Sequence, residues 1–477
     1  MTLSRKRLIA TAVGLALAAP LSAWATNGMN LEGYGPIATG MGGASMAYDN
    51  GTAGMMNNPA TLGLMEEGNR LDVSLGILGP NITSTYPGAL PPGTSNDADS
   101  DGTSYLMPAL GWTQKRGSLT YGVGVFAQGG MGTEYKSSTW LGGFTGQDAR
   151  SEVSVGRFMV PLAYNVNDNL VVAGTLEYVW GGMDLKMPLP GGDLTCGAGA
   201  QPGTFADFLC PNSQILGEGT VSANLGGALG ALAGAGYDTF AINFSNNSDY
   251  TGEASGSGFG AKLGLVYKIN KELSLGATYH SQTAMNDWSG SAEMVAYDTD
   301  GPNPDQPLSG KIKVKDFEWP ATWGLGLAYT ADRWMVAGDV KLIQWNDVMK
   351  NFKMTFSPDE IPGQLPAGES ADITFYQDWD NQTVFQIGGG YMFTDKFVGR
   401  LGLNIADNPI PNEYVNPLFP ATTKSHYTLG LGYMFTKNHD LNFSFVYAPE
   451  VKVTNSNTNV DISHSQMNWQ LMYSFMF

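Results

Sequence analysis

The chain has 477 residues, of which only 14% are charged; it carries 63 glycines, 11% aromatic residues, a net charge of -18 and a mean hydropathy of -0.13. That acidity excludes nucleic acid as a partner, because a phosphate binder needs a basic face. Near-neutral hydropathy argues against a bundle of membrane helices and fits alternating strands with one apolar and one polar face.

Residues 1–25 read as an export signal. Arg5, Lys6 and Arg7 form a positive start, residues 8–19 a short apolar core, and Ala23, Trp24 and Ala25 a small-x-small cleavage site. The apolar run is shorter than the ~20 residues that a spanning helix needs. Cys196 and Cys210 are the two cysteines. In an oxidising compartment they are a candidate disulfide closing one loop.

Residues 26–68 contain ten glycines and no Lys or Arg, and show neither a strand nor a helix period. Yet Met41, Met46, Met55, Met56, Leu62 and Met65 all need burial. The segment is expected to be a plug, or hatch, inside a membrane barrel formed by residues 69–477, with its glycines letting backbone pack close to the wall. Met55, Met56 and Met65 suit a pocket of loose specificity, since thioether chains adapt to different shapes.

From Arg70 onward apolar and polar positions alternate. The pattern predicts strands at 70–79, 103–115, 118–130, 150–166, 169–185, 252–268, 272–290, 309–330, 333–353, 380–394, 397–406, 423–436, 440–451 and 460–477, fourteen in all. Short turns at 115–117, 167–168, 269–271, 331–332, 395–396 and 437–439 alternate with longer connections. An all-β antiparallel barrel of the outer membrane has this form, with both termini on the periplasmic side. Gly-Tyr-Met-Phe-Thr occurs at 390–394 and again at 432–436, each time before a polar turn, which places aromatics at the membrane interface. The terminal Phe477 shares one strand face with Phe475, Tyr473, Leu471 and Trp469. It resembles the signal by which such barrels are handed to their assembly machinery. Strand parity turns Arg157, Glu177, Lys262, Asp339, Lys341 and Arg400 inward, as expected when a Lys or Arg facing lipid at midplane costs ~2–4 kcal/mol. Most of these charges read as wall ion pairs. The excess of cations leaves room for a carboxylate.

Asn58-Pro59-Ala60, after Gly40 to Ala44 and Asp49-Asn50, resembles the N-terminal hatch of the FadL/TodX family of outer-membrane channels for hydrophobic compounds. Glu318-Trp319-Pro320, Trp334 to Asp339, Arg400 to Leu403 and Asp407 to Pro411 follow in family order. The resemblance implies a fourteen-stranded barrel closed by the hatch, loops that capture an apolar molecule, an inner pocket, and sideways exit near the third strand. Gln128, Gly129 and Gly130 lie on that strand, and paired glycines permit a bulge or bend. Gln128 stands where many relatives carry Pro.

The capture surface is expected in the longest loop, 186–251, whose apolar centre at 225–234 is joined by Phe205, Phe208, Leu209, Phe240 and Phe244. The expected partners are a hydrophobic small molecule and the lipid and lipopolysaccharide of the outer membrane, with the chain a monomer. A fatty acid would use Arg157, Lys262, Lys341 or Arg400 for its carboxylate, and a hydrocarbon would need none of them. No cofactor, metal or catalytic group is expected. The four histidines, His280, His426, His439 and His464, lack metal-ligand spacing. The run 97–102 mimics a calcium loop but has Pro108 where a bidentate Glu belongs, so it reads as a solvated acidic loop. A general diffusion porin and, further off, a barrel hydrolase are the alternative readings.

Overall fold

The computed structural model describes residues 27–477 apart from 89, 91–92, 144, 190–216, 238, 249–250, 299–300 and 302. The export signal and the Cys196/Cys210 pair lie outside the described residues. The strands are β1 (Gly68–Thr85), β2 (Asp97–Asp99), β3 (Tyr105–Arg116), β4 (Leu119–Tyr135), β5 (Ala149–Asn165), β6 (Leu170–Leu189), β7 (Gly217–Val221), β8 (Thr239–Phe244), β9 (Ala254–Lys268), β10 (Leu273–His280) and β11 (Ala284–Met285). They continue with β12 (Trp288–Tyr297), β13 (Gln306–Lys315), β14 (Thr322–Ala331), β15 (Trp334–Ile343), β16 (Asn351–Pro358), β17 (Ala371–Tyr376), β18 (Gln382–Thr394), β19 (Phe397–Ala406), β20 (Ser425–Thr436), β21 (His439–Thr454) and β22 (Asp461–Met476).

Antiparallel pairing runs β1–β3–β4–β5–β6–β9–β10–β14–β15–β18–β19–β20–β21–β22, and β22 returns to β1, so the wall is closed. The fourteen strands read from the pattern undercount the barrel, which has 16 once β8 and β12, joining β6 to β9 beside their direct pairing, are included, in a sheet of 22. Three of the expected strands are broken, the first being 272–290, which divides into β10, β11 and the start of β12. The stretch 309–330 splits at Asp316, whose φ is 55, and at Pro320, which has no N–H to give a ladder. The stretch 333–353 splits at a short 3-10 turn, Trp345–Asp347. The pieces beyond these breaks form a second ribbon, β6–β8–β12–β13–β16–β17–β7, that extends one side of the wall at the end away from the short turns.

This ribbon also corrects the expectation for 186–251. Residues 223–234 form a helix, Ala223–Gly234, that buries Leu225 and Leu229, and Phe240 and Phe244 are core residues of β8 instead of a greasy outer surface. Phe205, Phe208 and Leu209 lie outside the described residues. Among the described residues no helix is long and apolar enough to cross a membrane, which says nothing of crossing by strands.

Wall strands alternate as a lipid-facing barrel requires. Leu176, Leu263, Leu325 and Leu401 are outward and exposed, while Glu177, Lys262, Asp339 and Asn404 are inward and buried. Aromatics gather at the short-turn end, where Trp334 meets Tyr391, Tyr391 meets Phe393, and Phe475 stacks on Phe477. Chain start and end of the wall meet there too: Asn69 and Phe477 exchange backbone hydrogen bonds at 2.8 and 3.0 Å.

Residues 27–67 lie inside the ring and touch it on all sides. With only short helical turns of their own, their backbone groups find partners on the wall, as buried peptide groups must. Asp339 Oδ2 accepts from Ser45 N (2.6 Å) and Met46 N (3.1 Å), Thr428 Oγ1 accepts from Gly42 N (3.0 Å), and Asp72 Oδ2 accepts from Thr52 N (2.7 Å). Lys115 Nζ donates to Gly63 O and Met65 O, both at 2.8 Å. Wall glycines admit this close approach: a Cβ on Gly276 would fall 1.8 Å from Met46 O. The Asn-Pro-Ala motif has a local cause. Asn58 caps the turn Pro59–Leu64 by accepting from Ala60 N (3.1 Å), Pro59 takes the position where no N–H is needed, and Asn58 Nδ2 donates to Met46 O (2.7 Å) and Leu265 O (3.1 Å).

Candidate functional site

Strand β4 is irregular in mid-strand, where it faces the N-terminal segment. In the β4–β5 ladder Ala127 pairs with Gly156 and Gly129 with Val155, which leaves Gln128 as an extra, bulged residue. On its other edge β4 pairs with β3 only as far as Ala109↔Phe126, although β3 stays paired to β1 out to Leu78↔Tyr105. Past that point β3 and β4 part. Behind the parting lies a cavity of about 100 Å³ lined by Leu78, Ile82, Met107, Gly130, Met131 and Val153 among others. Gly129 has φ 153 and forms a bridge with Asn30; a Cβ there would fall 2.2 Å from Met29 O.

The bulge turns the Gln128 side chain inward, where its amide is fully used. Nε2 donates to Asn30 Oδ1 (2.7 Å) and to the Tyr34 hydroxyl, and Oε1 accepts from Arg157 Nε (2.6 Å). Tyr34 Oη donates in turn to the Gln128 carbonyl (2.7 Å), and Trp319 Nε1 donates to Asn30 Oδ1 (2.7 Å). Burial pushes the Tyr34 phenol up, so it acts as a neutral hydroxyl. Arg157 pairs with Glu177, whose second oxygen is 3.3 Å from Lys262 Nζ, and Lys262 donates to Met56 O (2.9 Å). A buried, charge-compensated chain thus ties the bulge to the N-terminal segment at both Asn30 and Met56.

A second cavity, about 40 Å³, lies on the inner side of this chain against Tyr34, Met56, Arg157, Lys262, His280 and Lys341. Asn30 and Leu31 line both cavities and stand between them. His280 Nε2 donates to Asn57 O (2.9 Å). Lys341 has no ion-pair or hydrogen-bond partner among the described residues. Glu32, fully buried in the same segment, has no hydrogen-bond donor on either carboxylate oxygen, and burial pushes it up to about 7.

Of the residues singled out in the sequence, Met56, Arg157, Lys262 and Lys341 come together on the inner cavity. Met55 packs behind it against Phe126 and Met159. Met65 lines neither cavity, and Arg400 is engaged elsewhere, donating to Asn442 Oδ1 (3.1 Å) beneath Gly430. Asn30, Tyr34 and Trp319 were missed as site residues. Trp319 stood in a motif quoted for the resemblance, whereas Asn30 and Tyr34 carry no local signal, because their partners lie some ninety or more residues away.

The sequence matches the family model described as outer membrane protein transport protein (OMPP1/FadL/TodX) over residues 13–474. The fold is similar to the P. putida toluene transporter TodX, with a TM-score of 0.77 and 30% identity over 94% of this chain and 99% of that one. It is similar also to the Ralstonia pickettii toluene transporter TbuX, with a TM-score of 0.73 and 27% identity over 94% of this chain and 99% of that one. An uncharacterized protein of Chlorobium limicola, from the phosphoenolpyruvate carboxykinase gene 5' region, is 49% identical over 81 residues, which span 17% of this chain and 39% of that relative's length.

Proposed function

The chain belongs to the outer membrane protein transport protein (OMPP1/FadL/TodX) family, whose members among its structural neighbours are channels and not enzymes, and from that premise we propose that it takes up small uncharged apolar molecules by sideways exit through its own wall. The observation that carries this reading is the parting of β3 from β4 beside a lumen cavity. In this account a solute reaches the inner cavity, passes Asn30 and Leu31 when residues 26–68 shift as a hatch, enters the outer cavity, and leaves between β3 and β4 into hydrocarbon. Apolar solutes gain on that last step because the wall outside is lipid.

Charge supports an uncharged cargo. Arg157 and Lys262 already share Glu177, so a cargo carboxylate taking either must compete with a buried anion already in place. The likeness to two toluene transporters points the same way. Lys341, which lines the inner cavity with the carboxylates of Asp339 and Glu32 nearby but no ion pair or hydrogen bond of its own among the described residues, favours a second reading, in which an anionic amphiphile presents its head group there.

Deleting Gln128 tests the exit. It removes the bulge, restores even register with β5 and lets β4 pair with β3. Cells carrying the deletion are expected to lose most uptake of labelled toluene while the barrel still assembles. Uptake at the parent rate, with the bulge gone, would refute lateral exit.

A further inference from the structure

Within the outer cavity one polar group is left unused. His464, on β22, points inward and is buried, and its Nδ1 lies 2.7 Å from Pro420 O. A carbonyl oxygen only accepts, so Nδ1 carries the proton and Nε2 presents a lone pair. That Nε2 is buried and has no partner, while His464 lines the cavity. The other walls here are apolar at Leu78, Ile82, Met107 and Met131 and polar at Asn30, Tyr105, Glu152 and Ser154, with Glu152 already paired to Arg150 at 2.6 Å. Gln466, its polar neighbour on the same face, spends its amide N–H on Asn468 Oδ1 at 2.9 Å.

A ring that fits this space is small. An engineered apolar cavity of roughly 150 Å³ holds benzene, and this one, at about 100 Å³, continues into the gap between β3 and β4, where part of a ring can protrude. A bare hydrocarbon bound here covers the His464 lone pair and gives it nothing. A ring bearing one O–H satisfies it. Sites built around an unpaired buried group discriminate strongly against an analogue that lacks the matching one.

We propose that the outer cavity is a binding site for hydroxylated monoaromatics, phenols and cresols, with His464 Nε2 accepting the ring hydroxyl. The proposal rests on the uptake reading above and narrows its substrate class. His464 is a specificity residue on the exit side and takes no part in the Gln128–Arg157–Glu177 chain.

The test uses the full mature chain, purified and reconstituted in lipid vesicles, with binding of p-cresol and toluene measured by equilibrium dialysis. Two variants are compared: His464→Phe, which keeps a ring but has no acceptor, and His464→Asn, whose amide N–H still reaches toward Pro420 while Nε2 is gone. In both, p-cresol binding is expected to weaken by roughly tenfold relative to toluene. In histidine-labelled parent protein, p-cresol and not toluene is expected to shift the unprotonated ring nitrogen lost in His464→Asn. An unchanged cresol-to-toluene ratio in both variants, or a histidine nitrogen indifferent to p-cresol, overturns the proposal. If toluene still enters cells, the uptake reading survives that failure; if neither compound binds or enters, the uptake reading itself has failed.

Discussion

The two sides of the lumen wall are built differently. From β18 round to β1 the ladders are unbroken through their middles, with irregularities only beside the hairpin turns at Met392/Thr394 and Met434/Thr436 and far up at Ala448/Val451. Level with the bulge the inward groups there are uncharged, Gln386, Asn404, Asn468 and Gln470, and charges return only toward the short turns, as Arg400 and the Arg70–Asp72 pair. From β4 to β9 the ladder is bulged at mid-strand and the inward groups are the ions Arg157, Glu177 and Lys262. The lesson is that a mid-strand defect exposes backbone and side chain to the lumen, and a charged network strong enough to hold the N-terminal segment in place is found on that side. The intact side holds the same segment by packing, by single hydrogen bonds such as Gln386 Nε2 to Glu32 O at 2.7 Å, and, near the short turns, by Arg70 and Asp72, which engage Asp49 and Thr52.

The largest contrast is expected in stability. Glu177→Gln leaves Arg157 and Lys262 buried without their anion and should cost about 3–5 kcal/mol. On the opposite side Asn404→Ala should change little, under about 1 kcal/mol, because neither amide atom of Asn404 has a protein partner. Urea unfolding in vesicles reads both, and equal losses would erase the distinction between the sides.

Next in size is the loosening of the segment's front end. Asn30→Ala removes the acceptor of Gln128 and Trp319, so hydrogen exchange in residues 27–34 should speed several-fold and toluene uptake should rise. Protection equal to the parent's would show that the Gln128 chain does not hold the segment.

A pH effect sharpens the comparison further. Glu32 is pushed from its ordinary 4.5 up to about 7 by burial, with the charge of Lys341 acting the other way. A carboxyl with a raised value in the folded state favours its protonated form. The seating of residues 27–48 is therefore firmest below about pH 4.5 and weakens as pH rises through about 7. Exchange at those residues, corrected for its intrinsic pH dependence, should quicken from pH 5 to 7.5 in the parent and stay level in Glu32→Gln. The smallest effect is expected at Lys341→Met. Toluene uptake should be unaltered and only an anionic probe such as benzoate should suffer; a loss of toluene uptake would mean that Lys341 shapes the path itself.

Much of the barrel was legible because strands have a period of two and this wall repeats it many times. The inward placement of Arg157, Glu177 and Lys262 follows from parity alone, and β4 bulges at Gln128 beside the paired glycines that permit a bend. The outer ribbon was not legible. Its strands pair across wide sequence gaps, as Ala371↔Val221 does, and the breaks at Asp316 and Trp345 sit inside apolar runs that read as continuous strands. The partners of Asn30 and the free nitrogen of His464 are likewise products of three-dimensional closure, and no spacing along the chain announces them.

Lateral exit is tested most directly by tying β3 to β4. Met107→Cys and Met131→Cys place thiols on the two sides of the outer cavity, where a cleavable bis-maleimide can bridge them. Uptake of labelled toluene is predicted to fall sharply on bridging and to return when the linker is cut. Undiminished uptake by bridged protein would contradict the account.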